Sequence, residues 1–351
     1  MKQRSTFTLS SPSSRSKFFV TACVLAAALQ GNSVTAYTPS NPVPASLRSV
    51  TPSSLAQSST TQPQEPTTEQ QATQPSKSWN DDGFVFGLEG SGLERPTGRT
   101  SQIVVDGDSL ETTPFQRALV SVTMAGHAAF GAVALQEMCQ VNNHGDVGAT
   151  ALQATALAVS SWLLADFGSG VLHWSVDNYG NGKTPVMGSI IAAFQGHHAA
   201  PWTITERGFC NNVYKLCLPF GLAPMTLISF ATGPATTFFF VCFCVLEILS
   251  QEFHKWSHQR KSETPGWVNQ LQNLGLTVGR KPHALHHMAP YEGNYCIISG
   301  FCNPFLDESG FFRRLEHLVY NINGVESNAW KLDPALRERT LAGDYTLPKA
   351  T

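Results

Sequence analysis

Three observations in the sequence predict an all-α fold, an integral-membrane bundle of about four transmembrane helices. Four apolar stretches follow residue 115, and the Lys and Arg residues occur in only some of the loops that connect them. Eight of the eleven histidines lie between positions 173 and 287, close to the ends of those stretches. Together these features predict a histidine-rich metal site on the cytosol- or stroma-facing side of a membrane.

The first hundred residues differ in composition from the rest of the chain. A basic start and a short apolar run, Phe18 to Leu29, predict a signal-peptide-like segment over residues 1–36, because the run is too short to span a bilayer. Residues 37–100 are predicted to be a disordered transit or linker region, rich at first in Ser, Thr, Pro and Gln. With Tyr37 directly after a small-residue cleavage site, this region resembles the two-part presequence of algae with secondary plastids. An ordinary secretory signal followed by a disordered linker is the alternative.

Residues 115–320 form the predicted membrane-embedded domain, and residues 321–351 a soluble C-terminal tail. The fourth apolar stretch is almost unbroken, whereas His127 interrupts the first stretch and two prolines interrupt the third. The predicted crossings are residues 118–138, 149–172, 213–232 and 234–250. The alternative is a set of buried helices in a soluble α-helical protein.

The charges of the loops predict the direction in which the helices cross. The connections near 139–148 and 230–234 hold no Lys or Arg. The basic residues precede the first crossing, separate the second from the third, and follow the fourth: Arg117; Lys183, Arg207 and Lys215; Lys255, Arg260, Lys261, Arg280 and Lys281. Because basic loops stay on the cytosolic side, both ends of the domain are expected there, which in a plastid is the stroma.

The overall composition argues against two classes of protein. A net charge of −2 gives no reason to expect a nucleic-acid partner. The eight cysteines are scattered without a CxxC pair, and several lie in apolar stretches, so neither a disulfide framework nor a zinc ribbon is expected.

The clustered histidines fall into four groups near the ends of the apolar stretches. They are His173 with Asp177, His197 with His198, His254 with His258, and His283 with His286 and His287. Side chains four residues apart on a helix share a face, so the first group can bind one metal, and the same spacing recurs in the third and fourth groups. His286 adds a partner three residues after His283. His197 and His198 point in different directions, so one of them bridges toward a second metal or supports the site without binding.

Under the predicted topology all four groups lie on the same, basic side of the membrane. Imidazole suits iron, copper or zinc, and eight nitrogens with one carboxylate are too many for one ion and suit two. The predicted metal site therefore consists of His173, His197, His198, His254, His258, His283, His286, His287 and Asp177, with Asp177 also the candidate catalytic residue. Three histidines outside the groups are interpreted as structural: His127, His144 and His317.

Four further residues have a supporting interpretation. Gly168 and Gly170 favour close helix packing. Asp166, near the membrane edge, is expected to support the ligands from behind. Glu247 lies within the fourth apolar stretch and requires a partner, which the outer part of the metal site can provide.

Two metals in nitrogen-rich surroundings at a membrane surface suggest activation of O₂. Breaking an unactivated C–H bond needs iron rather than zinc, and the apolar helices below the site would hold an acyl chain. No fused haem domain and no dinucleotide-binding glycine motif is apparent in the sequence, so no bound flavin or nicotinamide is expected. The two electrons are then expected from a separate donor.

Longer motifs around the histidines resemble the lipid desaturase family, which includes plasmanylethanolamine desaturases and the plastid phosphatidylglycerol desaturase that makes trans-3-hexadecenoate. The run from Asp166 to Gly180 is similar to the opening motif of that family. The other matching segments are 194–198, 201–205, 294–300 and 306–309, similar to the plastid branch, and 254–258 and 312–316, closer to the animal branch. The likeness covers about residues 160–332. It implies that the eight clustered histidines bind two irons and that Asp177 belongs to the same site.

The resemblance implies an O₂-dependent di-iron acyl-lipid desaturase in a plastid membrane. Its expected substrate is the palmitoyl chain of phosphatidylglycerol, near the carboxyl end, with ferredoxin as the electron donor. The alternative is a plasmanylethanolamine desaturase of the endoplasmic reticulum with cytochrome b5 as donor; the presequence favours the plastid. A hydroxylase and a non-catalytic metal-binding or metal-transport protein are further alternatives, but transport predicts ligands within the bilayer rather than at one surface.

Overall fold

The described part of the chain is entirely helical, which confirms the predicted fold class. The computed structural model of the protein describes residues 101, 103, 105, 107–142 and 146–347, and these residues form no β-strand. The predictions for the signal-like segment and the linker lie outside the described residues, as does His144.

The helices are numbered here in chain order. They are α1 (Pro114–Val141), α2 (Val147–Asn178), α3 (Gly188–His197), α4 (Thr203–Glu206), α5 (Phe209–Val213) with the 3₁₀ turn Tyr214–Cys217, α6 (Leu222–Ala231), α7 (Pro234–His258), α8 (Gly266–Asn273), α9 (Arg280–His286), α10 (Asn303–Glu308), α11 (Phe311–Asn323), α12 (Asn328–Leu332) and α13 (Pro334–Leu341).

Three helices, α1, α2 and α7, are long and apolar enough to cross a membrane. The first two begin at polar caps: the Thr113 side chain accepts a hydrogen bond from Gln116 N, and that of Asp146 accepts one from Ala149 N. Only 11% of the most apolar 18-residue stretch of α2 is buried, against 28% in α1 and 33% in α7. Helices of a soluble protein bury such surface, so this exposure argues against the soluble alternative and fits contact with lipid.

The third predicted crossing is a broken one. Helix α5 with its 3₁₀ turn and helix α6 form a pair that bends by 45°. Pro219 lies in the break and cannot donate a backbone hydrogen bond. A Cβ atom at Gly221 would collide with the carbonyl of Cys217, so the tight turn between the two halves needs glycine at this position.

The bent pair runs antiparallel to α7 along most of its length. At one end Asn212 donates a hydrogen bond to Gln251 O, and at the other Thr232 Oγ1 lies 3.4 Å from Thr237 Oγ1. Met225 of α6 packs between these contacts, against Val241 of α7. Counted as one span, the pair brings the number of candidate crossings to four.

Helix α7 packs against both α1 and α2. Gly168 of α2 lets α7 approach, because a Cβ atom there would lie 3.0 Å from Glu247 Oε1. His127 is buried in α1 with Nδ1 2.9 Å from Thr123 O of the same helix, which fits its structural interpretation. The C-terminal ends of α2 and α7 adjoin, since the rings of His173 and His254 are 5.8 Å apart.

Helices α11 and α12 pack onto the end of α2, and α13 packs against both of them. Helix α11 runs across the domain boundary predicted at residue 320. The buried rings of Trp174, Tyr295 and Phe312 form one cluster, and the indole N–H of Trp174 donates to Glu316 Oε1 at 3.2 Å. The region after residue 320 supports α2 as well, because Asn328 donates to Asp177 O and Ala329 N donates to Asn178 Oδ1; the sequence alone suggested no role for it.

Candidate metal centre

All nine predicted site residues come together at the adjoining ends of α2 and α7. They form two groups, and within each group one ligand atom per residue lies within 4.8 Å of the others. The first, called here the five-histidine group, comprises His197, His254, His258, His283 and His287; the second, called the aspartate group, comprises His173, Asp177, His198 and His286.

The five-histidine group is assembled from α3, α7 and α9. Its rings all turn Nε2 toward a common centre, with His258 in the middle. His258 Nε2 lies 2.9 Å from that of His197, 3.2 Å from that of His254 and 2.8 Å from that of His283. His287 Nε2 is 3.1 Å from that of His283. Five lone-pair nitrogens converging in this way form a donor set for one metal ion.

The aspartate group centres on one carboxylate oxygen, Asp177 Oδ2. The Nε2 atoms of the three histidines surround it, at 3.3 Å for His173, 3.2 Å for His198 and 3.4 Å for His286. All four residues are buried. The two groups adjoin, because the rings of His198 and His287 have centroids only 4.7 Å apart.

His286 corrects one sequence expectation. The spacing suggested that it joins His283 and His287, but it lies in the aspartate group instead. Each residue advances about 100° around a helix, so His283 and His287 point almost the same way while His286 is turned by about 60° from His283 and 100° from His287. The last turn of α9, together with His287 directly after it, therefore supplies both groups.

His197 and His198 are divided between the groups in the same way. His197, at the end of α3, joins the five-histidine group, and His198 joins the aspartate group. The geometry favours the interpretation that this pair faces two metals and gives neither histidine a purely supporting position.

Backbone carbonyls fix the orientation of two rings in the aspartate group. His173 Nδ1 lies 3.0 Å from Tyr295 O, and His286 Nδ1 lies 2.9 Å from Gly293 O. A carbonyl oxygen can only accept, so each Nδ1 carries the proton and each Nε2 presents its lone pair to the centre.

Gly170 allows the segment that carries these carbonyls to reach α2. A Cβ atom at Gly170 would lie 2.5 Å from Cys296 Sγ, which is shorter than side-chain carbons tolerate. Its role is therefore close packing as predicted, but against the segment after α9 rather than against another helix.

Burial favours the neutral form of four ligand histidines that lie outside the membrane-spanning helices, because it lowers their pKa. Burial lowers the pKa of His197, His283 and His287 well below the ordinary value, and the neighbouring histidines lower it further. Burial also lowers the pKa of His198, although the carboxylate of Asp177 acts in the opposite direction. Neutral imidazole is the form that binds metal ions.

Buried atoms without partners show that the donor set suits a metal. Within the described residues, His173 Nε2, His286 Nε2 and Asp177 Oδ1 have no hydrogen-bond partner, although all three are buried. Polar atoms left unpaired in this way are costly, and a bound cation would satisfy them together.

Asp166 and Glu247 lie outside both groups. The carboxylate of Asp166 accepts hydrogen bonds from three backbone amides, those of Ser299, Gly300 and Cys302, at 2.7–2.9 Å. Asp166 thus anchors the segment that carries the Tyr295 carbonyl, in line with its supporting interpretation. Glu247 faces Gly168 and is not a member of either group.

Amide side chains beside the ligands were missed by sequence reasoning. Asn178 donates to Tyr295 OH and accepts from Ala329 N, while Asn328 donates to Asp177 O at 2.8 Å. Gln195 donates to Val176 O and Gly180 O at the end of α2. Two of these amides are adjacent or nearly adjacent to ligands in the sequence, which was the available signal; nothing local marks Asn328.

A cavity of about 130 Å³ borders the five-histidine group. His197 and His254 form part of its wall. Apolar residues contribute another part: Ile190, Ala193, Phe194, Ala200, Ile204 and Leu216. The remaining wall is polar and carries charged side chains.

Comparison with known proteins agrees with this geometry. The family described as the lipid desaturase domain matches residues 162–330, which include all nine site residues. A probable fatty acid desaturase of Acanthamoeba polyphaga mimivirus is 30% identical over 189 residues, 53% of this chain and 92% of the viral protein. The chain belongs to the lipid desaturase family.

Other members of the lipid desaturase family are more similar to this chain. Each of them is longer than the region that matches. Chloroplastic fatty acid desaturase 4 of Arabidopsis thaliana is 47% identical over 51% of this chain, and mouse plasmanylethanolamine desaturase 1 is 34% identical over 49%. The matches cover 55%, 61% and 64% of the length of three plant relatives and 66% of the mouse protein. No solved structure matches the chain.

Proposed function

We propose that the chain is an O₂-dependent di-iron acyl-lipid desaturase of a plastid membrane. The observation that carries this proposal is the pair of adjoining ligand groups at one end of long apolar helices. Membership of the lipid desaturase family supports the same reaction class.

In this proposal each ligand group holds one iron. The five-histidine group offers only neutral donors, whereas the aspartate group adds one carboxylate, so the two sites are chemically different. Two irons would supply the activation of O₂ and the removal of two hydrogens from adjacent carbons. The protein residues orient the ligands through the carbonyls of Tyr295 and Gly293 and surround the aspartate group with buried side chains.

The cavity beside the five-histidine group is proposed to receive the reacting part of an acyl chain. Its apolar wall suits methylene groups, and His197 and His254 bring it to the ligands. The ligands lie in the last turns of α2 and α7, so the site is near a membrane surface rather than in the middle of the bilayer. A carbon close to the ester of a lipid lies at that depth, which favours the carboxyl end of the palmitoyl chain of phosphatidylglycerol.

Ferredoxin is the proposed electron donor in a plastid, with cytochrome b5 as the alternative. Three members of the five-histidine group, His197, His258 and His287, are only half-buried, whereas the aspartate group is fully buried. Electrons are therefore proposed to enter through the five-histidine group.

The second candidate function is that of a plasmanylethanolamine desaturase. Similarity to the mouse and Myxococcus xanthus proteins of that name supports it, at 34% and 33% identity. The 47% identity to the chloroplastic plant protein, together with the predicted presequence, favours the plastid lipid. A metal transporter is disfavoured because the ligands lie at the ends of the helices.

The proposal is tested by metal and lipid analysis of the expressed protein. We expect about two irons per chain in purified wild-type protein and a new unsaturated chain in one lipid class of the host. His258→Ala removes the central nitrogen of the five-histidine group, so we expect it to lose about half of the iron and to abolish the new lipid.

His317→Ala is the matched control. This histidine contacts Tyr345 OH at 2.8 Å and belongs to neither group, so iron content and lipid composition are expected to match the wild type. Wild-type protein that holds zinc alone, or His258→Ala protein that still alters the lipid, would contradict the proposal. Vinyl ether lipids in place of the plastid product would support the second candidate.

A further inference from the structure

The polar wall of the cavity carries a pair of cations facing one carboxylate. Arg207 precedes α5, Lys215 lies in the following 3₁₀ turn, and both line the cavity with Asp108. Counting these three charged side chains, the wall has one excess positive charge. The same cavity reaches His197 and His254, so an anion bound at this wall would be part of a ligand that extends to the five-histidine group.

Arg207 and Lys215 differ in the ion pairs and hydrogen bonds that they make. Arg207 Nη2 lies 2.8 Å from Asp108 Oδ2, and the guanidinium also donates to Asn211 Oδ1. Lys215 Nζ lies 3.9 Å from the same carboxylate oxygen and makes no hydrogen bond within the described residues. An ammonium group whose side chain is 33% exposed and whose counter-ion is distant is open to a further anion that enters the cavity.

Asp108 comes from a separate segment of the chain. It lies before α1, and the segment is tied down where the carbonyl of Ser109 accepts from Arg207 and Asn211. Burial alone would raise the pKa of Asp108, but the hydrogen bond from Arg207 leaves that pKa below its ordinary value. A carboxylate anion therefore faces both cations in the absence of lipid.

These charged residues lie near the ends of apolar helices. In a membrane, that is the depth at which lipid phosphates lie. Arg207 lies two residues before α5, Asp108 lies six residues before α1, and Gln251 in the same wall lies near the end of α7. Charged side chains at such junctions lie where phospholipid headgroups lie. The cavity volume of about 130 Å³ is well below that of pockets that enclose whole ligands, so it suits one end of a lipid only.

We infer that Arg207 and Lys215 form a binding site for the phosphodiester of a phospholipid substrate, and that Asp108 occupies this site when no lipid is bound. The inference rests on the proposed function and adds to it the residues that recognise the phosphate of the headgroup. A phosphodiester has two free oxygens, so it can accept from the guanidinium fork and from the ammonium group at once.

The competing explanation is purely structural. In that case the Asp108–Arg207 pair only fastens the segment before α1, and Lys215 contributes nothing to lipid selection. The two explanations differ in whether a change at Lys215 affects charged and neutral lipids equally.

Lipid binding to purified protein separates them. The probes are short-chain phosphatidylglycerol and a diacylglycerol with the same chains, titrated in detergent without O₂ or reductant. We expect Lys215→Gln to weaken phosphatidylglycerol binding about tenfold and to leave diacylglycerol binding unchanged. Lys215→Arg keeps the charge and should restore most of the binding.

Two further variants complete the test. Asp108→Asn removes the competing carboxylate, so phosphatidylglycerol binding should tighten several-fold. Lys183→Gln changes an exposed lysine that does not line the cavity and should bind both lipids as the wild type does. If Lys215→Gln does not fold, the tightening expected for Asp108→Asn decides the question.

Equal losses for both lipids in Lys215→Gln, or no loss, would overturn the inference, as would unchanged binding in folded Asp108→Asn protein. Inorganic phosphate that competes as well as phosphatidylglycerol would also overturn it, because the site would then hold a free anion rather than a headgroup. Because binding is measured without turnover, selective binding with no desaturation would refute the proposed function alone. Desaturation with unselective binding would refute only the headgroup site.

Discussion

At the residue scale, hydrogen bonds on the side of each ligand that faces away from the site set the orientation of the aspartate group. The carbonyls of Tyr295 and Gly293 select the tautomer of His173 and His286, and in each case the metal-facing nitrogen is left with its lone pair. The backbone of Asp177 is held as well, because Asn328 donates to its carbonyl. Ligand geometry here depends on side chains that are not ligands.

Asn328→Ala should loosen the aspartate group. Asn328 is 2% exposed, so its removal leaves the Asp177 carbonyl without that partner in a dry environment. We expect a loss of about 1–3 kcal/mol in the free energy of unfolding and a lower iron content. Thermal unfolding in detergent and metal analysis measure both effects.

Asn323→Ala is the control for that change, since Asn323 is exposed and caps only Val325 N. It should unfold and bind iron as the wild type does. An Asn328→Ala protein with unchanged iron content and melting temperature would show that the contact does not hold the ligand.

At the scale of elements, residues on one face of α2 hold the segment between α9 and α10 in place. Asp166, Gly170 and His173 lie on one face of α2 at helical spacing. Asp166 accepts from backbone amides within residues 299–302, Gly170 packs against Cys296, and His173 contacts Tyr295 O. The segment has no regular secondary structure, so these contacts replace the hydrogen bonds that a helix would supply internally.

Asp166→Asn should release this segment from α2. The carboxylate accepts three backbone N–H groups, whereas an amide keeps one acceptor oxygen and turns an N–H₂ group toward the remaining donors. We expect a loss of about 2 kcal/mol in stability and faster hydrogen exchange of the amides at 299–302. Exchange followed by mass spectrometry locates the effect.

The matched control is Asp344→Asn, because Asp344 is exposed and accepts only from Thr346. Its exchange at 299–302 should equal that of the wild type. Unchanged exchange in Asp166→Asn would mean that packing rather than the carboxylate holds the segment.

At the scale of the whole described domain, apolar surface and polar chemistry are separated along the helices. The apolar stretches of α1, α2 and α7 are mostly exposed, whereas eight histidines and a carboxylate are packed together at one end. Contact with lipid would stabilise the first region, whereas the second brings the Nε2 atoms of His258 and His283 within 2.8 Å of one another. A metal ion bound by these groups would stabilise that end.

Removal of metal should therefore destabilise the fold. We expect an iron chelator to lower the melting temperature of the purified protein by about 5–15 °C, because bound metal stabilises only the folded state. Fe²⁺ should restore both stability and activity, whereas Zn²⁺ should restore stability alone. An unchanged melting temperature after the metal has been removed would show that the two groups are stable when empty.

The apolar helices, the nine candidate ligands and the family can all be predicted from the sequence, because each depends on local spacing or on contiguous motifs. Helical geometry alone pairs His254 with His258 and His283 with His287. Three features become visible only in the folded chain: His286 turns to the aspartate group, the third crossing is bent by 45°, and Asn328 supports Asp177. Contacts such as that of His173 with Tyr295, 122 residues away, arise from packing of distant segments, which spacing along the chain does not encode.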